Sequence, residues 1–360
     1  MKRFATKDLL PGMVCGEDVF TYSDQLLIPR GTVLTDKTIT KLEFYSIINV
    51  RIDDEASINL TQNSEQNLGL SHSQKIQASQ YFREFRANFE NSANKFQKVI
   101  NSVVSDDTPL DLDELFGYME SLINCGNGYL SIFDMLHNLR GYDDLTYIHS
   151  VNVSLMCNVF AKWLHFGSEE IRLATLSGLL HDIGKLMVPE HVLTKPGKLS
   201  KDEYTLVKKH TIDGYNLLKR HNVPSAVANS ALMHHERCDG TGYPLGLTNS
   251  KIDSFAKMVA IVDVYDAMTC ARVYRGPLCP FKVVEIFEDE GLQRYDTRFI
   301  MTFLENIVTT YLMDRVRLSD GRIGDIVFIN RSSLAKPTVK CGNDFIDLST
   351  EPDLHIEAIV

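Results

Sequence analysis

The chain is predicted to be mainly α, a helical bundle with a small α/β module at its N-terminus and a small β appendage at its C-terminus. Three observations predict this. From about residue 76 to 313 apolar residues recur at helical spacing. From 314 to 360 the pattern turns to alternation broken by hairpin signals. Between the N-terminal module and the helices, residues 56–74 are rich in Ser, Asn and Gln and read as a linker. The length, 360 residues, exceeds what one hydrophobic core of ~250–300 residues sustains, so more than one domain is expected.

Residues 1–55 form the α/β module. Val14 to Thr21 and Gln25 to Ile28 pair as short strands, and Pro29–Arg30–Gly31 is a turn signal. Thr35 caps a helix whose face carries Ile39, Leu42 and Tyr45, and Ile48 to Ile52 returns as a strand. Residues 75–134 are a helical connector. Its first helix, about Ile76 to Val104, carries the stripe Phe82, Phe85, Phe89, Phe96, Val99, Ile100 and Val103. That stripe has two readings, packing on its own chain or a homodimer seam, and spacing alone does not choose. Ser105 to Pro109 ends the helix, a second runs from Leu110 to Asn124, and Gly126–Asn127–Gly128 turns the chain into helix from Tyr129 to Leu139. Residues 135–313 are a helical domain with two loops, Lys195–Ser200 and Asp239–Pro244, where Gly and Pro stop helix. Residues 314–360 are β: Val316 and Leu318, the turn Asp320–Gly321, Ile323 to Phe328, then a second hairpin around Gly342–Asn343.

Composition narrows the function. The formal net charge of −10 argues against broad nucleic-acid binding, so an anionic ligand would need local cations. Seven cysteines without a CxxC pair fit the reducing cytoplasm better than a disulfide framework. No apolar run approaches the ~20 residues of a membrane span, and none follows Met1–Lys2–Arg3 as a signal peptide.

The chemistry concentrates around His181–Asp182–Ile183–Gly184–Lys185. An apolar helix former, Ile171 to Leu180, precedes the pair; Gly184 is expected to let the backbone leave the helix, with Lys185 as a neighbouring cation. His149, His210, His234, His235 and Asp263 lie in or beside other apolar helix-like segments, as side chains converging inside a bundle would. Five imidazoles and two carboxylates suit two first-row metal ions, with one carboxylate as a bridge. Two ions about 3.5–4 Å apart can activate water and clamp a phosphate. The other six histidines, His72, His137, His165, His191, His221 and His355, lack such settings.

This set resembles the HD superfamily of metal-dependent phosphohydrolases. The run His234–His235–Glu236–Arg237–Cys238–Asp239–Gly240–Thr241–Gly242–Tyr243–Pro244 resembles the signature of its HD-GYP subfamily, as do Asp263 to Thr269 and then Arg272, Tyr274 and Arg275. The resemblance spans roughly Leu136 to Tyr311. It implies an HD-type bundle that hydrolyses cyclic di-GMP to linear pGpG, and in some members on to GMP. Iron or manganese is the metal it implies. Asp182 would bridge two ions and serve in catalysis with Lys185; His149, His181 and Asp263 would complete one shell, and His210, His234 and His235 the other. Lys185, Tyr243, Asp266, Arg272 and Arg275 are the implied substrate residues, with Asp266 and Glu236 also able to orient a ligand.

Leu145 departs from the family: some members hold a third metal with a glutamate there, and leucine cannot bind one. Two metals and slow cleavage of the linear product are therefore expected. Thr211 replaces a frequent proline. The alternatives are another cyclic dinucleotide as substrate, or a domain that binds without turnover; a mononucleotide hydrolase is disfavoured by the Gly242–Tyr243–Pro244 loop and the Arg272–Arg275 pair.

Overall fold

Ser79 opens the helical part of the chain: its hydroxyl accepts from the Phe82 amide at 3.0 Å, and α1 (Gln80–Asp106) follows. The structure, a computed structural model, describes residues 2–10, 12–20, 26–34, 38–39, 42, 47, 49–53, 76–124, 132–139, 145–195, 197–270 and 277–360. Contacts divide the chain into two units, Ile76–Thr310 on the one hand and Met1–Lys75 with Tyr311–Val360 on the other. The expected cap at Thr35, the 56–74 linker and the 126–128 turn lie outside the described residues.

Phe82, Phe85, Phe89, Phe96, Ile100 and Val103 are all buried within this single chain. α1 packs on α2 (Leu112–Asn124) and α4 (Leu145–Trp163), which covers these six side chains and leaves Val99 half-buried. Asp111 rather than Leu110 starts α2, since its carboxylate accepts from the Asp113 and Glu114 amides at 2.9 and 3.0 Å. After α3 (Ile132–Asn138), α4 crosses α5 (Ser168–Leu180) closely: a Cβ on Gly178 would lie 2.9 Å from Ser154 Cα. A polar seam joins the same pair, with Ser154 donating to the Thr175 carbonyl at 2.8 Å and Asn158 to the Thr175 hydroxyl at 3.0 Å. Then come α6 (Glu190–Leu193), α7 (Lys201–Lys208), α8 (His210–Arg220), α9 (Ser225–Met233) and α10 (Ser254–Thr269). The unit closes with α11 (Pro280–Ile286), a π-type turn at Phe287–Gly291, α12 (Leu292–Arg294) and α13 (Thr297–Thr310).

An aromatic cluster ties these helices together. Phe303 of α13 meets Phe160 of α4 and Tyr265 of α10, each at 5.2 Å between ring centroids, and Phe133 of α3 at 6.4 Å. Tyr265 lies between Asp263 and Asp266 in sequence, and on a helix that spacing sends it to the opposite face. The cluster therefore backs α10 while the two carboxylates face α4.

In the other unit, β1 (Lys2–Ala5) pairs antiparallel with β4 (Asn49–Ile52), and β2 (Val19–Phe20) with β3 (Leu26–Ile28). Leu9, Cys15, Ile28, Leu34, Leu42, Val50 and Ile52 form their core. Residues 315–359 form a five-stranded antiparallel sheet in the order β8–β7–β6–β5–β9. Its strands are β5 (Arg315–Leu318), β6 (Ile323–Phe328), β7 (Thr338–Cys341), β8 (Asp344–Asp347) and β9 (Ile356–Ile359). Strand β9 was absent from the expected hairpins; it returns to pair with β5. No helix among the described residues is long and apolar enough to cross a membrane.

Phe303 is fully buried among rings from three other helices. Phe303→Ala is expected to cost about 3–5 kcal/mol in a urea unfolding curve, whereas Phe303→Leu should cost well under half of that.

Candidate metal centre

Two glycine contacts bring the ligands together. The chain leaves α5 at His181 and turns through a short 3-10 segment, Ile183–Met187. A Cβ on Gly184 would stand 1.9 Å from the His210 carbonyl and 2.7 Å from the Gly214 amide. Gly184 was expected to let the backbone leave the helix; α5 already ends before it, and Gly184 is required for close approach to α8. That approach brings His210 Nε2 to 3.4 Å from Asp182 Oδ1.

Asp182 is the meeting point. Its Oδ1 lies 3.4 Å from His210 Nε2 and 3.6 Å from His234 Nε2, and its Oδ2 lies 3.3 Å from His181 Nε2 and 3.8 Å from His149 Nε2. Lys185 places its ammonium on the same Oδ2. Asp182 is 1% exposed, and His181, His210 and His234 are fully buried. Two groups with metal-binding spacing result, one of Asp182, His210, His234 and His235, the other of His149, His181 and Asp182. Asp263 joins the second group, 3.1 Å from His149 Nε2 and 4.0 Å from His181 Nε2.

The rings are aimed by backbone. His181 Nδ1 meets the Gly178 carbonyl at 2.8 Å, His210 Nδ1 the Val207 carbonyl at 2.6 Å, and His234 Nδ1 the Ser230 and Ala231 carbonyls at 3.0 Å. A carbonyl can only accept, so each Nδ1 carries the proton and each neutral ring points an Nε2 lone pair inward. His210 Nε2 and His234 Nε2 then face each other at 3.3 Å, and neither His181 Nε2 nor Asp182 Oδ1 has a hydrogen-bond partner. Buried lone pairs converging without a donor are costly, and a cation satisfies them. The donor set therefore fits divalent metal ions.

Protonation follows the same lines. Desolvation lowers the pKa of His210 to about 4 and lowers those of His234 and His235, keeping all three neutral at pH 7. Burial opposes charge on Asp182, but the Lys185 ammonium outweighs it and holds the carboxylate well below its usual range. Burial likewise opposes the charge on Asp263, and His149 prevails. Desolvation also opposes a charge on His149, yet hydrogen bonds to Asp263 and Asp266 raise its pKa to about 10. A metal would have to displace the proton on His149 Nε2.

Asp266 lies behind the ligands. Its Oδ2 is 2.7 Å from His149 Nδ1, and its Oδ1 accepts from Asn152 at 3.2 Å. At 4% exposure it orients His149, the ligand-orienting role expected of it beside substrate contact. Asn152, one helical turn after His149, was not anticipated; only the i, i+3 spacing on α4 pointed to it. Tyr243 stacks on the His235 ring at 4.7 Å between centroids. Glu236 is neither a ligand-orienting group nor a helix-surface residue. It is 2% exposed and accepts from the Leu245 and Leu247 amides at 2.6 and 2.8 Å. Gly242 packs on it so tightly that a Cβ would lie 2.4 Å from Glu236 Cα. One buried carboxylate thus holds the Gly242–Tyr243–Pro244 loop over the site. In the 195–200 loop, expected to wall the site, Lys195 pairs with Glu203 at 2.7 Å. Arg272, Tyr274 and Arg275 lie outside the described residues.

A family model described as an HD domain matches residues 136–299. A cyclic di-GMP phosphodiesterase of Pseudomonas aeruginosa is 37% identical over 222 residues, covering 61% of this chain and 52% of that protein. A 3'3'-cGAMP-specific phosphodiesterase of Vibrio cholerae is 42% identical over 162 residues, covering 45% of this chain and 38% of the other. A cyclic di-GMP phosphodiesterase of Thermotoga maritima is 36% identical over 177 residues, covering 48% of each. The chain thus spans about half, or less, of the length of these relatives.

Two substitutions test the supporting groups. Asp266→Asn leaves His149 without its anionic anchor, and metal affinity, titrated with Mn(II), is expected to fall about 10–100-fold. Glu236→Ala strands two loop amides; a stability loss of about 1–3 kcal/mol is expected, with faster amide exchange at Leu245 and Leu247 than in the intact protein.

Proposed function

Residues 136–299 match an HD domain, and on that premise we propose that this protein is an HD-GYP-type, metal-dependent phosphodiesterase hydrolysing cyclic di-GMP to linear pGpG. One observation carries the reading. The buried Asp182 carboxylate is shared between two clusters of imidazoles, and so offers an oxygen to each of two cation positions. The curated relatives named as cyclic di-GMP phosphodiesterases support the choice of substrate.

Two divalent ions would be held, one by His149, His181, Asp182 and Asp263, the other by Asp182, His210, His234 and His235; iron or manganese suits these mixed shells. Such ions supply Lewis acidity toward a phosphodiester and an activated nucleophile at neutral pH. The protein's own groups do the rest. Asp182 and Asp263 bring anionic charge to the cations, and Asp266 keeps His149 in its ligating tautomer. Lys185, part-exposed beside Asp182, adds positive charge toward an anionic substrate. Arg272 and Arg275 would add bidentate phosphate contacts, which an acidic chain must supply locally. Tyr243, stacked on His235, would line the substrate's side of the centre. Leu145 cannot ligate, so a third ion has no glutamate to hold it and the linear product would be a poor substrate.

A second reading has its own support: the 3'3'-cGAMP-specific relative is 42% identical, so a mixed cyclic dinucleotide is the alternative substrate. A domain that binds without turnover is disfavoured by the complete ligand set.

The test is incubation of Fe(II)- or Mn(II)-loaded protein with cyclic di-GMP and with 3'3'-cGAMP under anaerobic conditions, with products separated by chromatography. Linear pGpG is expected, and Asp182→Ala should form none. Preferential cleavage of the mixed ring would transfer the assignment to the second reading; cleavage of neither by metal-loaded protein would sink both. Mass spectrometry of metals should find two per chain, and three tightly held ions would refute the two-metal reading.

A further inference from the structure

Beside the centre lies a pair of residues that the metal ligands and Lys185 leave unused. Tyr204 and Lys208 stand four residues apart on α7, and Lys208 precedes the ligand His210 by two positions. Tyr204 is 49% exposed, a large aromatic ring left open to solvent. The Lys208 ammonium lies 5.1 Å from the Tyr204 ring centroid and also 5.7 Å from that of Tyr243. Among the described residues Lys208 forms no ion pair. Tyr243 in turn stacks on His235 at 4.7 Å.

An i, i+4 contact between a tyrosine and a lysine is ordinary on an exposed helix. It does not account for Tyr243, which arrives from the Glu236-held loop. Together the groups make a file from metal ligand to solvent: His235, Tyr243, Lys208, Tyr204. Among the described residues ring faces alone meet the Lys208 ammonium, which leaves it available to an anion. Lys208 covers one face of Tyr204 and leaves ring surface in water, where a base can stack. A cyclic dinucleotide has two phosphates and two bases, and only one phosphate can sit at the metals during cleavage. Resting on the reading of this centre as a cyclic dinucleotide phosphodiesterase, we propose that Tyr204 and Lys208 form the subsite for the half of the substrate that is not being cleaved. One base stacks on Tyr204, and the second phosphate faces Lys208. Neither residue touches the reacting atoms, so both act on binding rather than on the chemical step.

Steady-state kinetics and equilibrium binding of cyclic di-GMP to the Mn(II)-loaded full chain test this. Tyr204→Ala is expected to raise KM and Kd about ten-fold, the loss of one base–aromatic stack, with a much smaller change in kcat. Tyr204→Phe should bind as the unmodified protein does, since the ring is retained. Lys208→Met should raise KM several-fold and flatten its dependence on salt, and Lys208→Arg should restore both. Cyclic di-GMP cleaved with KM and Kd within two-fold of the unmodified values in both Tyr204→Ala and Lys208→Met overturns the subsite alone. If the unmodified protein cleaves bis(p-nitrophenyl) phosphate but neither binds nor cleaves a cyclic dinucleotide, the reading of the centre fails and the subsite with it.

Discussion

The helical unit depends on one arrangement, a carboxylate at Asp182 kept ionised at 1% exposure among buried imidazoles. An isolated buried carboxylate would take up a proton, because desolvation penalises its charge. Lys185 prevents that, its ammonium resting on the carboxylate, while desolvation keeps His210, His234 and His235 neutral beside it. The backbone contributes as well. Carbonyls hold the Nδ1 protons of His181, His210 and His234, so each ring offers only its lone pair to the centre.

Close backbone approach makes the arrangement reachable. Gly178 lets α5 lie against α4, which brings His149 and His181 rings to 5.2 Å between centroids. Gly184 lets the turn after Asp182 touch the start of α8. A methyl group at either position would push apart helices whose ligands must stay within a few ångströms. The aromatic cluster around Phe303 supplies the opposing pressure, holding α10 so that Asp263 and Asp266 reach across to α4. Packing and chemistry are therefore coupled through α10, whose two faces serve one purpose each.

The loop between α9 and α10 uses a different device. Glu236 follows the ligand pair His234–His235 directly, but its carboxylate turns to the Leu245 and Leu247 amides. A charge-assisted, buried pair of hydrogen bonds anchors the loop at its far end, and Gly242 anchors its middle on the Glu236 backbone. Tyr243 is thereby held on the His235 ring, so the loop's position is tied to the metal ligands themselves.

Much of this was legible in the sequence. Helical spacing placed α1 and α2 to within a few residues, because a one-sided apolar stripe has few ways to be buried. The seven candidate ligands converge as their apolar settings indicated, since polar residues within core-forming helices must find partners inside. What stayed hidden depended on who meets whom in space. Spacing could not say whether the Phe82–Val103 stripe met its own chain or another, and tertiary packing buries most of it within the chain. Strand β9 carries too short a pattern to announce its pairing with β5. Glu236 and Asp266 looked alike as carboxylates near ligands, yet one holds a loop and the other a histidine. Gly184 read as a helix exit and proved to be a contact with α8. The sequence by itself determined which groups enter the core and with what chemistry, because burial and charge are properties of residue types along a periodic chain. Only the tertiary structure decided which carboxylate faces which ring, because that depends on ångström-scale approach between helices far apart in sequence.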